Sequence, residues 1–277
     1  MTERTGENSS PPPLLLLDAA SLYYRAYFGV PEAVKAPDGT PVNAVRGFLD
    51  MVATLVTRCR PERMVICLDE EWRPSWRVAL LPSYKSHRLA DGSTGAEATP
   101  DTLAPQVPIL LDVLAALGLA TAGAADHEAD DVIATLVERA AGPGGTAVDV
   151  VTGDRDLFQL IDDDAGVRVL YTGRGVAKLE PLNAAALRAK YGISPAQYAD
   201  FATLRGDPSD GLPGVPGIGE KTAVGLLSRF GSLAGILAAV EARSTLLPAS
   251  QWRRLHEAAG YLAVAPKVVR VARDAPV

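Results

Sequence analysis

The sequence predicts an α/β fold, with a mostly parallel sheet flanked by helices on both faces and a smaller helical subdomain after it. Three observations predict it. Short apolar runs at residues 14–17, 64–68 and 147–151 have the length and composition of buried parallel strands. Amphipathic stretches separate them, as right-handed βαβ units require. From Pro181 onward the pattern is helical with short turns.

The elements follow in order. Residues 1–13 are polar and end in three prolines, which predicts a disordered leader. Strand 14–17 runs into Asp18. Val45, Phe48, Leu49, Val52, Leu55 and Val56 then share one face of a helix over 42–58. Strand 64–68 runs into Asp69. Residues 89–100 are small, polar and glycine-containing, which predicts a mobile loop beside the strand ends. A helix over 101–117 follows. Another begins at Glu128, its buried stripe formed by Ala129, Val132, Ile133, Leu136, Val137 and Ala140. Strand 147–151 leads to Asp154 and Asp156 and a helical stretch to 161, and a strand covers 167–171. The expected division is an α/β domain over 14–180 and a helical subdomain over 181–277.

Each strand thus delivers a carboxylate to the carboxyl edge of one sheet, where open α/β folds place their sites. One such Asp is an ordinary turn residue. Repetition changes the weighting, because Glu128, Asp130 and Asp131 open a helix and Asp207 and Asp210 flank a later turn, making nine acids in punctuated positions. Converging carboxylates without interleaved Lys or Arg repel strongly at low dielectric. Divalent cations would remove that cost. All-oxygen donors suit Mg²⁺ or Mn²⁺ rather than zinc, and no His–Cys cluster competes. His127 reads as a polar neighbour of the cluster rather than a ligand.

The bulk numbers leave this open. A chain of 277 residues with 48% hydrophobic content holds ample core. The formal charge of −6 argues against a nucleic-acid partner until the acid cluster is set aside, which leaves the remaining surface neutral or locally basic. Cys59 and Cys67 lack CxxC spacing and read as reduced core residues of a cytoplasmic protein. The leucine run at 14–17 is far too short for a membrane segment.

A second signal lies at residues 213–223. Gly214, Gly217 and Gly219 let backbone amides approach an anion, a helix opens near Glu220, and Lys221 and Thr222 follow. Rossmann and P-loop glycines follow a strand, whereas these sit between helical segments. A helix–hairpin–helix that grips a nucleic-acid backbone fits better.

Leu17-Asp18, Tyr24-Arg25, Leu68-Asp69, Arg77, Tyr84-Lys85-x-x-Arg88, Glu128-x-Asp130-Asp131, Gly153-Asp154-x-Asp156, Gly206-Asp207-x-x-Asp210 and the hairpin at 214–223 occur in one order. That ordered set resembles the bacterial 5′-to-3′ exonucleases and flap endonucleases, including the N-terminal nuclease domain of DNA polymerase I. The resemblance implies a PIN-like α/β fold with a helix-3-turn-helix subdomain and an arch over about 72–100, whose tip orders on substrate. It implies two or more Mg²⁺ or Mn²⁺ ions on Asp18, Asp69, Glu128, Asp130, Asp131, Asp154, Asp156, Asp207 and Asp210, and K⁺ at the hairpin. Lys85 and Arg88 would meet the scissile phosphate. DNA contacts would come from Tyr24, Arg25, Arg77, Tyr84, Gly214, Gly217, Gly219, Lys221 and Thr222, although Tyr24 reads equally well as helix packing. The implied partner is DNA with a 5′ flap, nick, gap or 5′ end, bound by a monomer acting in replication and repair. Departures are Ala19 and Gly211, where the family commonly has Gly and Asn, and Trp76 in place of Phe. The competing readings are a PIN-type ribonuclease, disfavoured by the hairpin and the late acids, and a non-catalytic DNA-binding module. A stand-alone nuclease and the nuclease part of a longer polymerase both fit.

Overall fold

A computed structural model describes residues 12–142 and 144–277. The expectation of a disordered leader at 1–13 falls, apart from residues 12 and 13, outside the described residues. The sheet has six strands, β1 (Leu14–Asp18), β2 (Arg63–Cys67), β3 (Thr121–Ala122), β4 (Val148–Thr152), β5 (Val167–Tyr171) and β6 (Glu180–Leu182), in spatial order β3-β2-β1-β4-β5-β6. All neighbours are parallel except β5 and β6. The α/β class with a mostly parallel sheet is therefore as the sequence predicts.

The apolar runs do not alternate because both faces of the sheet are covered. Leu15 and Leu17 pack with Ile66, Val151 and Leu170 on one face, beneath α1 (Ala19–Gly29), α2 (Asn43–Cys59) and the helix Gln106–Ala116. Leu14 and Leu16 pack with Val148, Val150 and Val169 on the other, beneath the helix Ala129–Ala140 and the helical subdomain. With a side-chain period of two, a strand buried on both faces must be apolar throughout. A charge placed at Leu15 or Leu16 would be buried without a partner.

Between β2 and β4 lie α3 (Ser75–Leu80), α4 (Gln106–Ala116) and α5 (Ala129–Ala140). After β6 come α6 (Ala184–Tyr191), α7 (Tyr198–Arg205), α8 (Glu220–Phe230), α9 (Leu233–Glu241), α10 (Ala249–Glu257) and α11 (Ala259–Val269). Four details differ from expectation, the first being the two-residue strand β3, too short to show a pattern in sequence. The helix expected from 101 starts at Gln106, after a run of turns that ends at Pro105, whose ring cannot continue a hydrogen-bonded turn. The helical stretch after Asp154 is a short 3₁₀ turn, Asp156–Leu160. Strand β6 was hidden by Pro181, which the fold tolerates because β6 is an edge strand, and it crosses the expected boundary at 180/181.

The segment 72–100 is helical only at α3 and at Ser86–Arg88. Its tip folds back through a bridge between Leu89 and Glu97, and the Trp72 indole donates to the Gly95 carbonyl at 3.0 Å. Among the described residues no single helix is long and apolar enough to cross a membrane.

Candidate active site

Strand order reverses between β1 and β4, so the crevice outside their carboxyl ends is the topological switch point. Asp18 ends β1 and caps α1, its Oδ1 accepting from Ser21 N (3.0 Å) and its Oδ2 from Thr152 Oγ1 (2.6 Å) at the end of β4. Asp69 follows β2, and its Oδ1 accepts from Ala129 N (2.7 Å), which ties that strand end to the start of α5. Asp154 follows β4 and is exposed, with Oδ1 accepting from Asp156 N at 2.9 Å. Together with Glu128, Asp130 and Asp207 they line a cleft of about 590 Å³.

Cations close the opposite side. The peptide N–H of Lys85 donates to the Asp210 carbonyl (2.9 Å), and Lys85 Nζ pairs with Glu128 Oε1. Arg88 Nη2 donates to the Ser209 carbonyl (2.6 Å) and reaches Asp210 Oδ1 at 3.3 Å. These bonds join the basic turn at 84–88 to the turn that carries Asp207 and Asp210. Gly211 adopts φ +69°, and a Cβ there would stand 2.2 Å from the Ser83 carbonyl oxygen. Loss of Asn at 211 is thus accommodated by a backbone approach that only glycine permits.

The electrostatics fit a cation site. Burial, then the Asp69 carboxylate, pushes Asp18 up to about 7. Burial, then Glu128, pushes Asp69 up to about 6. Burial raises Asp210 to about 6 even with Lys85 opposing it, and raises Asp130 and Asp156, each further lifted by Asp154. Burial alone would lower Lys85, but Glu128 and Asp210 outweigh it, so its ammonium stays charged. The cluster is therefore a set of oxygen donors whose ionised forms are disfavoured by burial and by neighbouring carboxylates, which is the cost a hard divalent cation relieves. Among the described residues no three His, Cys, Asp or Glu side chains close into a finished ion cage, and the acids ring the cleft instead.

Three expected site residues turn inward. Arg77 is 2% exposed, so it cannot contact DNA. Its Nη1 donates to Glu128 Oε2 and Asp131 Oδ2, its Nη2 to Asp131 Oδ1, each at 2.7 Å, and its Nε to the Val268 carbonyl at 3.0 Å. The Trp76 ring covers the guanidinium at 4.3 Å. Asp131 is fully buried, and its oxygens are engaged by Arg77, Ala272 N (2.7 Å) and Glu128 N (3.3 Å), so it does not face the cleft as an ion ligand. Tyr84 is buried, its hydroxyl donating to Glu128 Oε2 at 2.6 Å, so its ring is not free to stack on a base.

The other residues are placed as follows. Tyr24 lines the cleft, its hydroxyl donating to Glu97 Oε2 at 3.2 Å, while Arg25 is half-buried behind Gly153. Asp207 is held by Ser209 and by Arg205 Nη2 at 3.0 Å. His127 Nδ1 bonds the Ala125 carbonyl at 2.8 Å. At the hairpin, Gly214 and Gly217 have φ of +67° and +77°, Gly219 starts α8 without a side-chain cap, Lys221 is exposed and Thr222 half-buried. Sequence reasoning missed Tyr23, Glu70, Trp72 and Glu97, which also line the cleft, and Arg254, whose Nη1 donates to the Gly217 carbonyl at 2.7 Å. Only Glu70, directly after Asp69 in the acid run 69–71, carried a signal that could have marked it.

A parallel sheet whose switch point gathers carboxylates opposite a basic turn, with a glycine hairpin on an appended helical subdomain, defines an α/β enzyme of the PIN-like class. Comparison with known proteins agrees. Family models described as 5′-3′ exonuclease, N-terminal resolvase-like domain, and 5′-3′ exonuclease, C-terminal SAM fold, match residues 13–192 and 193–277. The chain is 63% identical over 265 residues to a 5′-3′ exonuclease of Streptomyces coelicolor, covering 95% of this chain and 87% of that protein. It is 51% identical over 274 residues to a 5′-3′ exonuclease of Mycobacterium tuberculosis, covering 96% and 85%. It is 42% identical to DNA polymerase I of Mycobacterium bovis, over 85% of this chain but 25% of that protein. In fold it is similar to the bacteriophage T5 D15 protein co-crystallised with metal ions (TM-score 0.72, 19% identity, 92% of this chain and 88% of that one). It is likewise similar to the catalytic core of Rad2 in complex with DNA (TM-score 0.60, 16% identity, 95% and 80%). The chain belongs to the 5′-3′ exonuclease family.

Proposed function

We propose that the chain hydrolyses DNA phosphodiester bonds at or near a 5′ end, on flaps, nicks or gaps, as a monomer in replication and repair. The observation that supports this most directly is the shared cleft. Acids from the strand ends and from the helical side meet there opposite Lys85 and Arg88, on a chain that also carries a glycine hairpin before α8.

Asp18, Asp69, Asp130, Asp154 and Asp156 would hold Mg²⁺ or Mn²⁺, with Glu128, Asp207 and Asp210 contributing from the facing side. Two such ions, when bound, supply an activated water and charge stabilisation for the leaving oxygen of an in-line displacement. The chain's own residues do the rest. Lys85 remains protonated and serves as a fixed positive charge for the scissile phosphate, not as a base. Arg88, anchored on the Ser209 carbonyl, presents a second cation at the rim. Tyr24 offers its ring to an unpaired 5′ base. Open amides at the start of α8 and Lys221 would grip the duplex backbone without reading sequence, and the hairpin backbone at Gly214 to Gly219 would hold K⁺.

Cleavage of 5′-labelled and 3′-labelled flap DNA, with single-stranded DNA and RNA controls, in Mg²⁺, Mn²⁺ or EDTA, tests the reading. Metal-dependent cutting near the flap junction is expected, with Asp154→Asn inactive but still binding DNA. Cutting of RNA alone, or binding without cutting, would overturn it.

A further inference from the structure

The last turn of α11 and the stretch after it lie outside every motif, yet their backbone meets the start of α5 and the 3₁₀ turn Asp156–Leu160, two of the elements that carry the acid set. Within residues 268–272, four main-chain groups are used this way. The Val268 carbonyl accepts from Arg77 Nε (3.0 Å) and the Ala272 amide donates to Asp131 Oδ1 (2.7 Å). The Val269 carbonyl accepts from Gln159 Nε2 (3.2 Å) and the Val271 amide donates to Gln159 Oε1 (3.2 Å).

The first pair leads to Glu128. Arg77 and Asp131 form a buried two-bond fork, and the remaining bond of Arg77 Nη1 fixes Glu128 Oε2, which Tyr84 also holds. Glu128 is left with Oε1 directed to Lys85 and the cleft. The second pair leads to Asp156. The same Gln159 Nε2 donates to the Asp156 carbonyl at 2.8 Å, so one amide ties the 3₁₀ turn that carries this acid to the C-terminal stretch. Further along, Ala275 N donates to Thr135 Oγ1 (3.0 Å) and Arg139 Nη1 to the Val277 carbonyl (2.9 Å), which lays the stretch along α5.

We infer that residues 268–277, acting through Arg77–Asp131 and through Gln159, are a positioning strap that sets the spacing between Glu128, which lines the cleft, and Asp156, which is buried beside Asp154 at its edge. Gln159 is the positioning residue that a substitution can isolate. The inference rests on the metal-dependent nuclease reading above and deepens it, because it assigns the geometry of that acid set to a backbone segment outside every motif. The physical reason is the tolerance of such chemistry: groups behind metal ligands commonly govern ion affinity about 10–100-fold, and a misplacement of about 1 Å costs on the order of 10²-fold in rate.

The test compares wild type with Gln159→Leu and with a chain truncated after Arg270. Mn²⁺ binding is measured by calorimetry without DNA, kcat and KM on flap DNA well below the melting temperature, and the melting temperature separately. Gln159→Leu is expected to weaken Mn²⁺ about tenfold or more and to lower kcat with KM little changed, and the truncation to do so more strongly. Arg77→Lys, which keeps the charge but not the fork, is expected to bind Mn²⁺ more weakly than wild type. A folded Gln159→Leu variant that melts earlier but keeps wild-type Mn²⁺ affinity and kcat would reduce the strap to a stability element and overturn the inference. Should wild type itself neither bind Mn²⁺ nor cut, the nuclease reading fails instead, and the two failures are distinct.

Discussion

Replacing Asp18 by Asn should make the metal-free protein more stable while abolishing cleavage. Asp18 is 4% exposed, and burial followed by the Asp69 charge moves it from 3.8 to about 7. It therefore binds its proton more tightly in the fold than in the unfolded chain. Below pH 4 both states are protonated and the group contributes nothing. As pH climbs from about 4 to about 7 the folded state loses stability, reaching a plateau of about 4 kcal/mol at 1.36 kcal/mol per tenfold. Relaxation and water entry soften a buried charge, so that figure is an upper bound. Half of it, about 2 kcal/mol, is worth roughly 4–8 °C in a chain near this size. Asn keeps the local bonds, since its Oδ1 can accept from Ser21 N and its amide can donate to Thr152 Oγ1. Thermal melts in EDTA at pH 8 and pH 4.5 read the effect. The variant should melt higher at pH 8, lose most of that advantage at pH 4.5, and gain less than wild type from added Mg²⁺ or Mn²⁺. A variant less stable than wild type at pH 8, or an advantage independent of pH, would refute the electrostatic account of the cluster.

Further outcomes follow from the same geometry. Lys85→Ala should lower single-turnover cleavage about 10²–10³-fold, as loss of a preorganised charge-stabilising donor does, and unchanged rates would remove Lys85 from the phosphate. Lys221→Ala should weaken duplex binding evenly across sequences and shallow its salt slope by about 1. Arg254→Ala, which frees the Gly217 carbonyl, should weaken the same binding. Filter-binding titrations at several salt concentrations check both, and unaltered affinity would leave the hairpin a plain turn. Tyr24→Leu should cost about 1–3 kcal/mol in affinity for a single-stranded 5′ overhang while Tyr24→Phe retains it; equal losses would assign the effect to the hydroxyl bond with Glu97 rather than to stacking.

Strands β1, β2, β4 and β5, their order of acids and the hairpin were legible because each writes itself locally, whereas the two-residue β3 and the proline-bearing β6 were not. A run such as Leu14–Asp18 has one physical reading when no residue in it can tolerate water. What sequence could not separate was which motif residues face the cleft and which hold those that do. Asp130 and Asp131 are neighbours on α5, and a helix turns about 100° per residue, so one lines the cleft while the other points to Arg77. Spacing from Glu128 does not settle which, because both sit in the first turn where an acid is favoured anyway. Arg77 reads as a surface cation until its acceptors are known, and one of them is the main-chain carbonyl of Val268, 191 residues away. Tyr84 is hidden for the same reason, as a phenol that stacks and one that bonds a buried carboxylate have the same letter.

These inward residues change how the motif set is understood. Glu128 is met by Arg77, Tyr84 and Lys85, three groups from the segment between β2 and the arch tip. Asp18, Asp69, Asp130 and Asp156, by contrast, form no ion pair among the described residues and are displaced upward first by burial and then by neighbouring carboxylates, with Lys85 offsetting part of that shift at Asp69, Asp130 and Asp156. The cleft is therefore polarised, with compensated charge on the basic-turn side and uncompensated charge along the strand ends. A phosphate would be repelled by the second side as its acids ionise and drawn to the first, so divalent cations held along the strand ends would let a substrate span both. Binding of DNA that strengthens Mn²⁺ affinity, and Mn²⁺ that strengthens DNA affinity by the same factor, is the reciprocal signature of that arrangement. Equal DNA affinity at the cleft with and without the ion would mean that Lys85 and Arg88 suffice to hold the phosphate.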